Sequence, residues 1–139
     1  GIPSTNPLSA ALEGLRLLGA RRLALLTPYP AEVNAAIERY LCAQGFAIPE
    51  KGSFALASDS DAALVPPEAI HDAALELGRA AVDAVFIAAT ALRVSPVLEQ
   101  LEAALGKPVV ASNQTLAWRC LRLAGRREPV AGFGRLLTL

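Results

Sequence analysis

Three short segments hold the residues with which this sequence could do chemistry: Thr27-Pro28-Tyr29, Ala89-Thr90-Ala91-Leu92-Arg93 and Ser112-Asn113-Gln114. Each closes a compact apolar run, and two of them open a stretch with helical spacing. Backbone N–H groups at a helix start point away from the helix, and with the positive end of its dipole they favour a carboxylate or an enolate-like oxyanion. Thr27, Thr90, Ala91, Ser112 and Asn113 are therefore candidate contacts to an anionic substrate. Capping of the following helix is the plainer explanation of each Ser, Thr or Asn taken singly, but not of the three together. Tyr29 stands between Pro28 and Pro30, which fix the backbone and hold the hydroxyl over the strand end; packing on the sheet edge is the plain alternative. Arg93 could clamp a carboxylate with two nitrogens, although a loop arginine is ordinarily solvated.

The remaining reactive side chains are poorly placed. Cys120 shares a helical face with Leu116 and Leu123 and is expected to be a buried apolar filler, while Cys42 lies near a helix end beside Leu41. A reactive thiolate needs an electropositive, partly exposed site, which neither position suggests. His71, the single histidine, stands at a helix start with no acid or nucleophile motif around it, and reads as solvated or locally bonded. Trp118 with Leu121 and Leu123 reads as helix packing that could also shield a cleft. No GxSxG, P-loop, HExxH, GxGxxG or carboxylate-pair motif occurs, and the cysteines have no metal-ligand spacing. Taken alone, the chain lacks a convincing catalytic group.

The elements that must position these segments alternate between strand-like runs and helical periods, the pattern of βα units around a parallel sheet. A helix begins at Pro7 behind Ser4, Thr5 and Asn6 and stops at Gly19. A buried strand covers 22–27, and a helix bearing Val33, Ile37, Tyr40 and Leu41 ends at Gly45. A short strand follows at 46–48. Residues 52–67 read as a mobile loop, most plainly at Ser58-Asp59-Ser60-Asp61. A helix over 67–81 precedes a strand at 84–88, and Ser95-Pro96 start a helix ending at Gly106. A strand at 108–111 and a helix capped by Ser112 lead into a glycine-containing tail. Right-handed crossovers predict one domain over 1–139: an α/β, flavodoxin-like open parallel sheet of four strands in the order 2-1-3-4, with helices on both faces. Ligands of such sheets bind beyond the carboxyl ends of the strands, where the three segments lie.

Thirteen basic residues balance thirteen acidic ones in 139 residues, so no net field draws the chain to nucleic acid or an anionic membrane surface. The apolar runs are too short to span a bilayer, and two unpaired cysteines fit a reducing, cytoplasmic compartment. The chain starts without methionine and is read as a truncated or processed piece.

Taken together, the motifs resemble a known family. Leu25-Leu26-Thr27-Pro28-Tyr29 with Glu32-Val33-Asn34, the run from Ala84 to Arg93, Glu102, Gly106 to Gln114, Trp118, Leu121-Arg122-Leu123 and Gly132 to Leu136 resemble the aspartate/glutamate racemase superfamily. The closest branch is that of maleate cis-trans isomerases and arylmalonate decarboxylases; Pro3-Ser4-Thr5-Asn6-Pro7 with Ala10 and Ala11 is similar to its ectoine-utilisation members. The resemblance implies two pseudo-symmetric halves, a small carboxylate or dicarboxylate held between them, one catalytic cysteine from each half, and no cofactor. It makes this chain the carboxy-terminal half. Tyr29 matches a tyrosine on the substrate carboxylate, and the Thr90 N–H matches an oxyanion donor. Ala89 stands where the family has its second cysteine, and an asparagine expected near Asp59 is replaced. The resemblance thus implies an isomerase, racemase or decarboxylase domain that is inactive as this chain alone, awaiting its amino-terminal half or a second copy. A non-catalytic carboxylate-binding or regulatory module on the same fold is the alternative.

Overall fold

A computed structural model describes all 139 residues. Its elements run α1 (Pro7–Leu17), β1 (Arg22–Thr27), α2 (Ala31–Ala43), β2 (Ala47–Ser53), α3 (Asp59–Ala63), α4 (Pro67–Gly78), β3 (Ala84–Ile87), α5 (Leu98–Leu105), β4 (Val109–Ala111) and α6 (Ser112–Leu123), with short 3₁₀ turns at Ser95–Val97 and Arg135–Thr138. The four strands form one sheet in the order β2-β1-β3-β4, and every pairing is parallel. The expected α/β architecture is the one observed.

Strand periodicity sorts the core into two layers, because successive side chains of a strand point to opposite faces. Ala24, Leu26, Val85, Ile87, Val109 and Ala111 pack with Ile70, Ala74, Leu98 and Leu101 of α4 and α5. Leu23, Leu25, Ala84, Phe86 and Val110 pack with Ala11, Leu12, Leu15 and Leu41 of α1 and α2. A third cluster joins Trp118 to Leu136 and Leu137, so the tail lies against α6. Gly14 permits the α1 side of that arrangement: a Cβ there would stand 2.8 Å from Leu136 Cδ2.

Several local expectations are corrected. The second strand extends over Ala47–Ser53, past the expected 46–48, and Phe46 is a buried residue ahead of it. Pro49, Glu50 and Gly52 are poor strand formers, but β2 is an edge strand whose conformation is imposed by its ladder with β1, and an edge tolerates proline. The Ser58–Asp61 stretch is a one-turn helix start: Ser58 accepts from the Asp61 N–H at 3.1 Å and donates to the Asp61 carboxylate at 2.7 Å. The helix expected to reach Ala81 stops at Gly78, where the Lys107 ammonium takes the carbonyls of Gly78 and Ala80, each at 2.8 Å. Ser95 does not cap α5; it begins a 3₁₀ turn, and Val97 precedes the helix.

Cys120 is exposed, contrary to its reading as a core filler. The buried stripe of α6 is instead Ser112, Thr115 and Trp118, and its polar members conceal it from a hydrophobic-periodicity reading. On α2, only Leu41 of the four apolar residues is buried, while Val33 and Tyr40 remain exposed. No helix is long and apolar enough to cross a membrane.

Candidate functional site

Parallel βα units carry the loops after β1, β3 and β4 to one edge of the sheet, and the three segments converge there. The β1 turn is tightly braced. Thr27, fully buried, donates to Asn34 Oδ1 and accepts from the Tyr29 N–H at 3.2 Å. The Tyr29 carbonyl accepts from Asn34 Nδ2 at 3.0 Å and from the Ser53 hydroxyl. Together with Pro28 and Pro30, these bonds fix the backbone from which the phenol projects. Burial, and secondarily the Asp59 carboxylate, hold the Tyr29 hydroxyl above its ordinary pKa of 10.0, so at neutral pH it is a proton-bearing donor.

After β3, the chain turns at Ala89 with φ of 134°. A residue with a Cβ rarely adopts such a backbone, and a site that holds one commonly has a use for the strain. Ser112 stabilises this turn: its hydroxyl accepts from the Ala89 N–H at 3.1 Å. Ser112 is thus the first residue of α6 and caps the neighbouring turn, not its own helix. Gln114 performs the local service by accepting from the Ala111 N–H at 3.3 Å, and its amide also donates to the Phe133 carbonyl. Asn113 donates to the Thr90 carbonyl at 2.8 Å, which turns that peptide so that its oxygen is occupied. The N–H groups of Thr90 and Ala91 donate to no acceptor in the protein.

Two depressions result, with Tyr29 in both. One, of about 240 Å³, is lined by Pro7, Leu8, Ile37, Phe86 and Ala88 on its apolar side and by Ala89, Thr90 and Ser112 on its polar side. The other, of about 290 Å³, lies among Pro28, Pro30, Val33, Leu56, Ala57, Ser58 and Asp59. The first offers hydrogen-bond donors and a helix start to an oxyanion. It contains no thiol, and both cysteines lie elsewhere on the surface.

Tyr29, Ala89, Thr90 and Ser112 of the sequence-derived set meet directly in this crevice. Thr27 and Asn113 stand behind it as braces, and Ala91 packs against the α4–α5 core layer. The Arg93 guanidinium lies 3.4 Å from the Val65 carbonyl, outside the lining of both depressions. Trp118 is buried against the tail and does not shield the cleft. His71 bonds its neighbour Asp72 at 3.1 Å. Asn34 and Ser53, which brace the β1 turn, were not read as site residues: Ser53 meets Tyr29 across 24 positions, while Asn34 lies seven residues from Thr27, within a local window.

Comparison with known proteins gives a consistent answer. The profile of the family described as arylmalonate decarboxylase matches residues 1–137. The chain is 35% identical over 129 residues to a maleate isomerase of Nocardia farcinica, an overlap of 92% of this chain and 51% of the relative. It is 31% identical to the arylmalonate decarboxylase of Bordetella bronchiseptica over 98% of this chain and 58% of that one. The solved structure of the Nocardia farcinica maleate cis-trans isomerase bound to TRIS superposes with a TM-score of 0.91 at 32% identity, covering 96% of this chain and 55% of the other. A cysteine-to-serine mutant of that isomerase, solved with a covalently bound succinylcysteine intermediate, superposes at 0.90 with 33% identity over 94% of this chain and 54% of the other. The chain therefore spans about half the length of the relatives it matches.

Proposed function

The chain belongs to the arylmalonate decarboxylase family, and from that premise we propose that it is a carboxylate-binding half of a cofactor-independent isomerase or decarboxylase, inactive by itself. One observation carries the reading: the strained Ala89 turn, bonded to Ser112, brings Thr90, whose N–H is free, into one depression with Tyr29, and the side chain of residue 89 there is a methyl group. Donors so arranged stabilise a carboxylate and the enediolate derived from it. Adding or removing a proton at the neighbouring carbon, or attacking an alkene there, needs a positioned acid, base or nucleophile. A relative of this fold forms a succinylcysteine intermediate, and the side chain of Ala89 can form no such bond.

The reading assigns the chain to the carboxy-terminal half of its family, with the substrate closed in by an amino-terminal half. Its opening, Pro3-Ser4-Thr5-Asn6-Pro7, favours the ectoine-utilisation branch, and two free, exposed cysteines favour a reducing, cytoplasmic setting. Ala89 also favours a second reading, a binding module that has given up catalysis. Turnover separates the two. The chain as it stands is expected to leave maleate and arylmalonates unchanged. Ala89→Cys together with the amino-terminal half of the Nocardia isomerase is expected to restore measurable reaction if the chain is an enzyme half, and to restore none if it is a module. Reaction of any such acid above background by the unaltered chain would refute the proposal.

A further inference from the structure

Tyr29 divides the crevice into two chemically unlike ends. The Thr90 and Ser112 end offers donors, and no charged side chain lines it. In the other depression, Asp59 is the single charged residue. Its carboxylate accepts no hydrogen bond and joins none of the ion pairs of the molecule; the neighbouring Ser58 hydroxyl is taken by Asp61 instead. Arg93, the basic residue carried by the β3 loop, is turned to the Val65 carbonyl and does not neutralise it. Neither depression is lined by lysine or arginine. Within this half, a second carboxylate on the ligand would therefore find no cation, and in the second depression it would meet Asp59.

Resting on the carboxylate-binding role proposed above, we propose that Asp59 selects a small acid bearing a cationic amino group, with its carboxylate at Thr90 and Ser112 and its ammonium at Asp59. Tyr29 lines both depressions, of about 240 and 290 Å³, so a small molecule that reaches from one to the other passes the tyrosine. The effect of Asp59 on the phenol is consistent with its carboxylate facing the shared space. A neutral-ended acid would gain nothing at Asp59, and a dicarboxylate would be repelled there. This preference would set the chain apart from the relative solved with maleate, a dicarboxylate.

Titration of the isotopically labelled protein with γ-aminobutyrate, glutarate and butyrate, followed by amide chemical shifts at neutral pH, tests this. γ-Aminobutyrate is expected to bind about tenfold more tightly than glutarate, the order produced when surface attraction replaces repulsion. Asp59→Asn is expected to abolish that preference while retaining butyrate binding. Equal or tighter binding of glutarate by the unaltered protein overturns the proposal without reference to any variant, as does a preference that survives in Asp59→Asn. Binding of all three acids without discrimination removes this inference and leaves the carboxylate-binding role standing. Absence of shifts at Thr90, Ala91 and Ser112 with every acid removes both.

Discussion

At the scale of single residues, the Ser112 hydroxyl has an unusual duty: it satisfies the N–H of a residue whose own conformation is unfavourable. Ala89 at φ of 134° costs about 1–3 kcal/mol in backbone strain, and the Ser112 bond is one of the contacts that offsets it. Ser112→Ala removes the acceptor from a buried N–H and is expected to lower stability by about 1–3 kcal/mol, read as a shift of the urea midpoint. An unchanged midpoint would show that the turn needs no such brace. Tyr29 supplies a second prediction. Its folded-state pKa lies above the ordinary 10.0, so the stability associated with the neutral phenol is fully present below pH 10.0 and is lost as pH rises through the folded value. Thermal melts of the unaltered protein should decline in that alkaline window, and those of Tyr29→Phe should decline less. Parallel decline of the two would exclude Tyr29 as the titrating group.

At the scale of elements, Asp83 ties the start of β1 to the entry of β3. Its carboxylate accepts from the N–H groups of Arg22 at 2.7 Å and Arg21 at 2.8 Å, and these bonds, with Arg22 and Lys107 nearby, hold its pKa below the ordinary 3.8. Stability from this group is present above pH 3.8 and is lost as pH falls through the lower folded value. Asp83→Ala should therefore melt at a lower temperature at neutral pH, with the gap closing in strong acid. A gap independent of pH would assign the effect to something other than the charge.

These elements differ in how far the sequence discloses them. β1, β3 and β4 are legible because each is a buried apolar run between turn residues, and the order of the sheet follows from crossover handedness. β2 was legible only at its start, since the rest is held by pairing with β1. Ser58 failed to read as a cap because its helix lasts five residues and carries little apolar pattern. In the crevice, Tyr29, Ala89, Thr90 and Ser112 were found from their places at strand ends. The place of Asp59 came only from the resemblance, which expects a substrate-contacting asparagine near it, since nothing local to Ser58–Asp61 indicates that it faces the Tyr29 turn.

For the whole molecule, the proposed two-half assembly would draw on exposed apolar side chains: Val33, in the lining of the second depression, Leu64 and Phe133 are 43%, 76% and 46% exposed. Exposed large apolar groups favour contact with a complementary surface. Sedimentation velocity should detect association of the chain with itself or with an amino-terminal half at raised concentration, and Val33→Asp combined with Phe133→Asp should weaken it. A species that stays monomeric with both partners at every concentration would contradict the pairing.

Both borders of the sheet are blunted against further strands. At one border, the outward N–H groups of Val109 and Ala111 are occupied by the side chains of Glu102, at 2.9 Å, and Gln114, at 3.3 Å. At the other, Pro49 lacks an N–H and is followed by Glu50 and Lys51, which discourage an incoming backbone. An open parallel sheet ordinarily presents two templates on which extended chains can polymerise; here carboxylate and amide side chains at one border and proline with charged neighbours at the other discourage growth into fibrils by strand addition.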